Sequence, residues 1–269
     1  MGGIRRILPY LCCLRLAAAV AADVIEDQVL APSVTVTTNR GSGSGVIFIH
    51  EGAPYVITAD HVVRSLRSVR TTIADGGERK TEVWSDANVV QVLVQDGRQI
   101  GKIEMFAEVL CSDEKEDIAL LRVRRTGYFS FSARFVPPDV KIGVGELVLH
   151  CGSRLGQEGA NSLTDGIVSA VGRVIDDEVF DQTSAPASPG SSGGGIFSRE
   201  GEHLGMVTLG AGETFVLFVP ARRIAAWLEA KGYGFLCPGW AAQPVAAEAQ
   251  VPLTPPEASP VAEGAPDDH

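Results

Sequence analysis

From residue 33 onward the chain alternates apolar and polar positions with a period of two, in short runs rich in Val, Ile and Thr. Successive side chains of an extended strand point to opposite faces, so each run predicts a strand with a buried face. In the first half the runs fall at Ser33–Thr37, Val46–His50, Tyr55–Thr58, Val69–Ile73, Thr81–Trp84, Val89–Val94, Ile100–Ala107 and Ile118–Val123. Gly127, Pro137 and Pro138 break the pattern over Arg125–Pro138, which reads as a connection between two halves. The pattern resumes at Glu146–Cys151, Gly166–Ile175, Val179–Gln182, Gly194–Phe197, His203–Leu209 and Thr214–Val219. A helical period is present only in Pro220–Lys231, which opens on Pro, gathers Ile224, Ala225, Trp227 and Leu228 on one face, and stops before Gly232.

This makes about fourteen short strands in two similar halves, closed by one helix. Antiparallel barrels bury so many short strands without exposed edges, so an all-β chain of two barrels is expected, about 33–125 and about 139–232, within a folded domain over 33–236. Composition agrees: hydrophobic residues make up 45%, aromatics only 6%, and there are 30 glycines, which suits strands and tight turns better than a helical bundle.

The ends differ from the middle. Arg5 and Arg6 precede a mostly apolar stretch, Ile7 to Ala22, with small residues at Ala19, Ala21 and Ala22; residues 1–22 read as a signal peptide, followed by a linker at 23–32. Arg15 interrupts that stretch, and an uncleaved anchor is the alternative. An exported, periplasmic or secreted protein is therefore expected, with no membrane span in the mature chain. Residues 237–269 are rich in Pro, Ala and Glu and are expected to be a disordered tail. The net charge is −10, and the last 29 residues carry Glu248, Glu257, Glu263, Asp267 and Asp268 with no Lys or Arg. So acidic a chain lacks the electrostatic footprint of a nucleic-acid binder. Of its 5 cysteines, Cys12 and Cys13 would leave with the signal. Cys111, Cys151 and Cys237 have no metal-ligand spacing and read as free thiols, a Cys111–Cys151 bridge being the alternative. No cofactor or metal is expected.

Three motifs carry candidate chemistry. His61 follows the strand end in YVITADHVV, Asp117 immediately precedes the apolar run IALLRV, and Ser192 lies in PGSSGGGIF. An alcohol is a poor nucleophile at neutral pH; an imidazole can take its proton if a carboxylate fixes the imidazole's tautomer. The oxyanion formed on attack needs preorganised donors, usually backbone N–H groups, and glycine at 190 lets the loop turn to present them. Each motif alone is weak; the three together, on a two-barrel strand pattern, point to a nucleophilic serine. His50, His150, His203 and His269 lie in no comparable setting and receive no role.

The chain resembles the trypsin-like serine proteases, in particular the high-temperature-requirement (HtrA/Deg) branch, in GSGSGVIF (41–48), YVITADHVV (55–63), DIALLRV (117–123), GSRLGQEG (152–159), GIVSAVGR (166–173) and SPGSSGGGIFSREGEHLGMV (188–207). These pieces lie within residues 33–232. The resemblance implies two six-stranded antiparallel barrels with a C-terminal helix. It also implies a serine endopeptidase acting on polypeptides, with His61 as general base, Asp117 orienting it, Ser192 attacking, and the N–H groups of Gly190 and Ser192 as oxyanion hole. Strand 203–209 would pair with an extended substrate, with Val207, Thr208 and Leu209 forming a wall of the pocket. The segment 183–188 contains no acid to receive Arg or Lys, so a small or medium apolar residue is expected before the scissile bond. A homo-oligomer is compatible with that branch. Its peptide-binding PDZ module has no counterpart in the sequence given.

Three positions depart from the family pattern. Asp60 stands where a small residue is usual, Gly195 where Pro is common, and Ser191 where zymogen-activated digestive proteases have Asp. Activation by a newly cut amino terminus is accordingly not expected. The other readings are a catalytically silent peptide-binding module on the same fold and a processing protease of viral or phage type.

Overall fold

In the computed structural model, which describes residues 24–74, 77–210, 212 and 214–240, the alternating runs become strands that close on themselves twice. After a π-helical turn at Glu26–Leu30, β1 (Ser33–Thr38), β2 (Gly41–His50) and β3 (Ala53–Thr58) lead into a one-turn helix, α1 (Asp60–Val63). A hairpin of β4 (Arg67–Ala74) and β5 (Gly77–Trp84) follows, then β6 (Ala87–Gln95), β7 (Arg98–Asp113) and β8 (Ile118–Val123). The connection carries only β9 (Arg134–Phe135). The second half is β10 (Leu147–Arg154), β11 (Gly159–Ile175), β12 (Glu178–Thr183), β13 (Gly195–Phe197), β14 (Glu202–Gly210), β15 (Val216–Pro220) and the helix α2 (Ala221–Ala230).

The first barrel closes in the order β1-β2-β3-β8-β7-β6. The second runs β13-β10-β11-β12-β15-β14 and is joined by the β13–β14 pairing, with β9 added parallel to the outside of β14. The expected all-β fold of two six-stranded barrels and a C-terminal helix is thus what forms.

Strands between the barrels are apolar on both faces, which explains why Val46–Ile49 and Ile118–Leu121 are continuous rather than alternating. Ile47, Ala119 and Leu121 fill the first barrel, while Val46, Phe48, Ile118 and Leu120 face outward into a cluster shared with Phe197, Met206 and α2 residues Ile224 and Leu228. The second barrel has its own core around Val148, Val168, Ile196 and Phe218. Burial of each such side chain contributes about 1.5–3 kcal/mol. The shared cluster therefore resists sliding of one barrel over the other.

Two sequence expectations need correction. Val69–Ile73 and Thr81–Trp84 do form strands, but β4 and β5 pair only with each other and stand outside both barrels. Their β-branched residues satisfy strand propensity without burial: Val69 is 61% and Ile73 83% exposed. The folded part also continues past 236, since Cys237 is buried and Trp240 Nε1 donates to the Val136 carbonyl at 2.8 Å. Cys111 and Cys151 are free thiols, as is Cys237, so the alternative bridge does not form. The signal reading of 1–22 and the tail beyond 240 lie outside the described residues. Among the described residues no helix is long and apolar enough to cross a membrane.

Candidate active site

β3 ends at Thr58, Ala59 remains extended (φ −75°, ψ 144°), and the chain then coils into α1, so His61 sits in a helical turn rather than on the strand end itself. Asp117 occupies the left-handed region (φ 51°) directly before β8, a conformation that Asp tolerates better than most residues. That twist turns its carboxylate back toward α1. His61 Nδ1 lies 3.0 Å from Asp117 Oδ1 and 2.9 Å from Oδ2, and the His61 backbone N–H donates to Oδ1 at 3.0 Å. Thr208 Oγ1 donates to Oδ2 from the second barrel. Burial pushes the Asp117 carboxyl upward, but the hydrogen bonds and charge of His61, with the Thr208 hydroxyl, outweigh it and hold the group below its ordinary value.

Ser192 lies on the loop between β12 and β13. Its Oγ donates to the carbonyl of Thr208 at 3.4 Å, the residue whose hydroxyl holds Asp117. Thr208 thus links the three candidate residues, although no hydrogen bond joins Ser192 Oγ to His61 Nε2 among the described residues.

Glycine is required where this loop turns. Gly190 has φ 95°, and a Cβ there would stand 2.3 Å from the Ser153 carbonyl oxygen. Gly193 has φ 87°, and a Cβ would stand 2.1 Å from the Ser44 carbonyl oxygen. The Pro189 carbonyl accepts from the Leu155 N–H at 2.9 Å, so in a trans peptide the Gly190 N–H points the other way. The Ser191 carbonyl accepts from the Gly194 N–H at 2.9 Å, which likewise directs the Ser192 N–H away from it. Ser191, one residue from Ser192, is buried and its Oγ accepts from the Ser188 N–H at 3.2 Å.

Sequence reasoning missed the support beneath this loop. Ser44, buried in β2, donates from Oγ to the Gly190 carbonyl (2.7 Å) and accepts from the Ser153 N–H (2.7 Å), while its own N–H donates to the Ser192 carbonyl (2.7 Å). Thr58 Oγ1 caps the Ser44 carbonyl at 2.7 Å. A serine among glycines reads as a turn, and no spacing rule shows a partner 146 positions away. Gly43 lets this part of β2 approach, since a Cβ there would meet Val62 at 2.5 Å and the Ser192 carbonyl oxygen at 3.0 Å.

Beside Ser192 opens a cavity of about 360 Å³. Val207, Thr208 and Leu209 line one side and Ser188, Pro189 and Ser191 another; none of its described lining residues is charged. His150 and His203, which received no role, are fully buried. His150 Nδ1 donates to the Gly195 carbonyl at 3.1 Å, and burial pushes its pKa down to about 4. His203, ringed by Phe48, Phe135 and Phe197, has no partner for either ring nitrogen and is pushed by burial to about 3. Both are neutral packing groups at neutral pH. No cluster of three or more His, Cys, Asp or Glu among the described residues is placed to hold a metal ion.

Comparison with known proteins bears on the family and the fold. A family model described as the trypsin-like peptidase domain matches residues 43–206. The chain is 27% identical over 220 residues to the serine protease Do-like HtrA of Bacillus subtilis, covering 78% of this chain and 40% of that protein. It is 32% identical over 174 residues to a probable periplasmic serine protease do/HhoA-like of Haemophilus influenzae, covering 63% of this chain and 31% of that one. The chain therefore spans well under half the length of these curated relatives. Among solved structures, the serine endoprotease from Yersinia pestis superposes with TM-score 0.57 at 22% identity, covering 78% of this chain and 66% of that one. Deg5 superposes with TM-score 0.56 at 20% identity, covering 78% and 92%, and both likenesses concern the fold. With a family model that spans both barrels and reaches from Gly43 to Met206, the chain belongs to the trypsin-like peptidase domain family, among relatives of the HtrA/Deg type.

Proposed function

We propose that this protein is a serine endopeptidase in which His61, Asp117 and Ser192 form the catalytic triad. The observation that carries the reading is the hydrogen-bonded path from the His61 imidazole through Asp117 and Thr208 to the Ser192 hydroxyl. With Nδ1–H donated to Asp117, the His61 Nε2 lone pair is free to act as a base. Rotation of the Ser192 side chain away from the Thr208 carbonyl brings Oγ to Nε2. Oγ then attacks the peptide carbonyl carbon while its proton passes to Nε2. Asp117, held ionised by its donors, stabilises the imidazolium.

The negative charge develops on the former carbonyl oxygen, which the N–H groups of Gly190 and Ser192 receive. Collapse expels the amine, protonated by His61, and leaves an ester on Ser192. A water, deprotonated by the same imidazole, hydrolyses that ester and restores the serine. The Ser191 hydroxyl and the Ser44 network hold the loop from within the domain, so no newly cut amino terminus is needed to set it.

The uncharged cavity fits an apolar side chain of small or medium size before the scissile bond, with the substrate backbone extended along β14. By analogy with the periplasmic relatives, the substrates are polypeptides outside the cytoplasm. Cleavage of unfolded casein by the full chain, abolished in Ser192→Ala, is the expected result. Sequencing of the products should show apolar residues at the new carboxyl ends; termini dominated by Lys or Arg would refute the pocket assignment.

A further inference from the structure

Five consecutive residues at the end of β7 and in the turn to β8, Ser112 to Glu116, make contacts in two directions. Ser112 Oγ donates to Asp60 in α1, and Glu114 faces Arg64, just after α1, at 3.5 Å. Asp113, Lys115 and Glu116 instead reach the second half of the molecule. Asp113 meets Lys231 at 3.5 Å, Lys115 meets Glu178 at 2.9 Å, and Glu116 meets Arg223 at 2.6 Å. Arg223, on α2, also pairs with Glu178 at 2.8 Å, donates to the Val179 carbonyl at 2.8 Å, and lies 4.9 Å over the ring of Phe180. Its side chain is 12% exposed and that of Glu178 14%. This pairing is thus shielded from the solvent that makes ordinary surface ion pairs weak.

The position of this turn matters because Asp117 follows it directly in a left-handed conformation. We propose that Ser112–Glu116 is a keystone that sets the His61–Asp117 pair of the first barrel against the Ser192 loop of the second, with Arg223 as its principal positioning residue. The proposal rests on the triad reading above. It also gives the unusual Asp60 a purpose: its buried carboxylate ties the helical turn bearing His61 to the strand that leads to Asp117. Arg223 touches no reacting atom. Its guanidinium fork bridges two carboxylates and a carbonyl, a geometry that Lys cannot reproduce.

The test compares wild-type full chain with Arg223→Gln, Arg223→Lys and the triple variant Arg223→Gln/Glu116→Gln/Glu178→Gln. The triple variant leaves no unpaired buried charge, so it keeps the measurement meaningful if Arg223→Gln alone folds poorly. The readouts are kcat and KM on a peptide ester, the pH profile of kcat/KM, and the rate of fluorophosphonate labelling of Ser192. In Arg223→Gln and in the triple variant, kcat and the labelling rate should fall about ten- to hundredfold with KM nearly unchanged. The alkaline-going rise of the profile should shift, and Arg223→Lys should recover part of the loss. Wild-type kcat, labelling rate and pH profile in a folded triple variant, with only the melting temperature lowered, would overturn the keystone and leave the triad standing. A wild-type protein that does not label would overturn the triad reading and the keystone with it.

Discussion

The segments leading to Asp117 and to Ser192 do the same task by different means. The turn before Asp117 is fixed by side chains: ion pairs from Asp113, Lys115 and Glu116, and hydroxyl and amide donors on the carboxylate. The loop around Ser192 is fixed chiefly through its backbone: two glycines at positive φ, Gly190 and Gly193, main-chain hydrogen bonds such as that from the Ser44 N–H to the Ser192 carbonyl, and the Ser44 hydroxyl on the Gly190 carbonyl. Side-chain contacts can be removed one at a time and respond to salt and pH. A glycine pressed against a carbonyl oxygen cannot be replaced by degrees. Perturbing the first segment should therefore give graded losses, and perturbing the second abrupt ones.

The largest effect short of removing the nucleophile should come from Asp117→Asn, which retains shape but favours the wrong imidazole tautomer; kcat is expected to fall by about 10⁴-fold, measured on a peptide ester. Gly190→Ala should follow. The added methyl must displace the Ser153 carbonyl or the Gly190 N–H, with a loss of about 10²–10³ in kcat and little change in binding of a product peptide. A near-normal Gly190→Ala enzyme would contradict the backbone half of the comparison. Thr208→Val removes one donor from the Asp117 carboxylate and leaves the carbonyl that receives Ser192 Oγ. A loss of about ten- to hundredfold in kcat is expected, from the roughly 1.5–3 kcal/mol typical of a hydrogen bond to a charged group.

The last effect is on stability rather than on rate. His150 and His203 are held neutral by burial at about 4 and about 3, below the unfolded value of 6.5, so the unfolded chain takes up protons first as pH falls. Stability should thus be fully present above pH 6.5 and decline between there and the folded values, by about 1.4 kcal/mol per pH unit for each histidine. Urea denaturation midpoints from pH 7 to 4.5 should show this slope, and His203→Leu should make it shallower. An unchanged slope in that variant would remove His203 from the explanation.

The sequence displayed the two-barrel fold because nearly every strand has an apolar face, and β2 and β8, buried on both sides, stand out as continuous apolar runs. It also displayed His61, Asp117 and Ser192, because each stands at the edge of an apolar run or inside a glycine-rich turn. The β4–β5 hairpin was legible as two strands but not as an excursion from the barrel, since Val69 and Ile73 look the same in sequence whether covered or exposed. Ser44, Thr58 and Thr208 were harder still. Thr208 was foreseen only as a pocket wall, and the partners of Ser44 and Thr208 come from distant parts of the chain. The keystone turn reads as an ordinary charged loop until α2 is folded against it.

Mass spectrometry of the protein after reaction with a fluorophosphonate tests the central claim most directly. Ser191 and Ser192 are adjacent, yet Ser191 is buried and supports the loop, while Ser192 is the proposed attacking group. The expected result is a single adduct on Ser192, absent in Ser192→Ala. An adduct on Ser191, or a folded wild-type protein that acquires none, would contradict it.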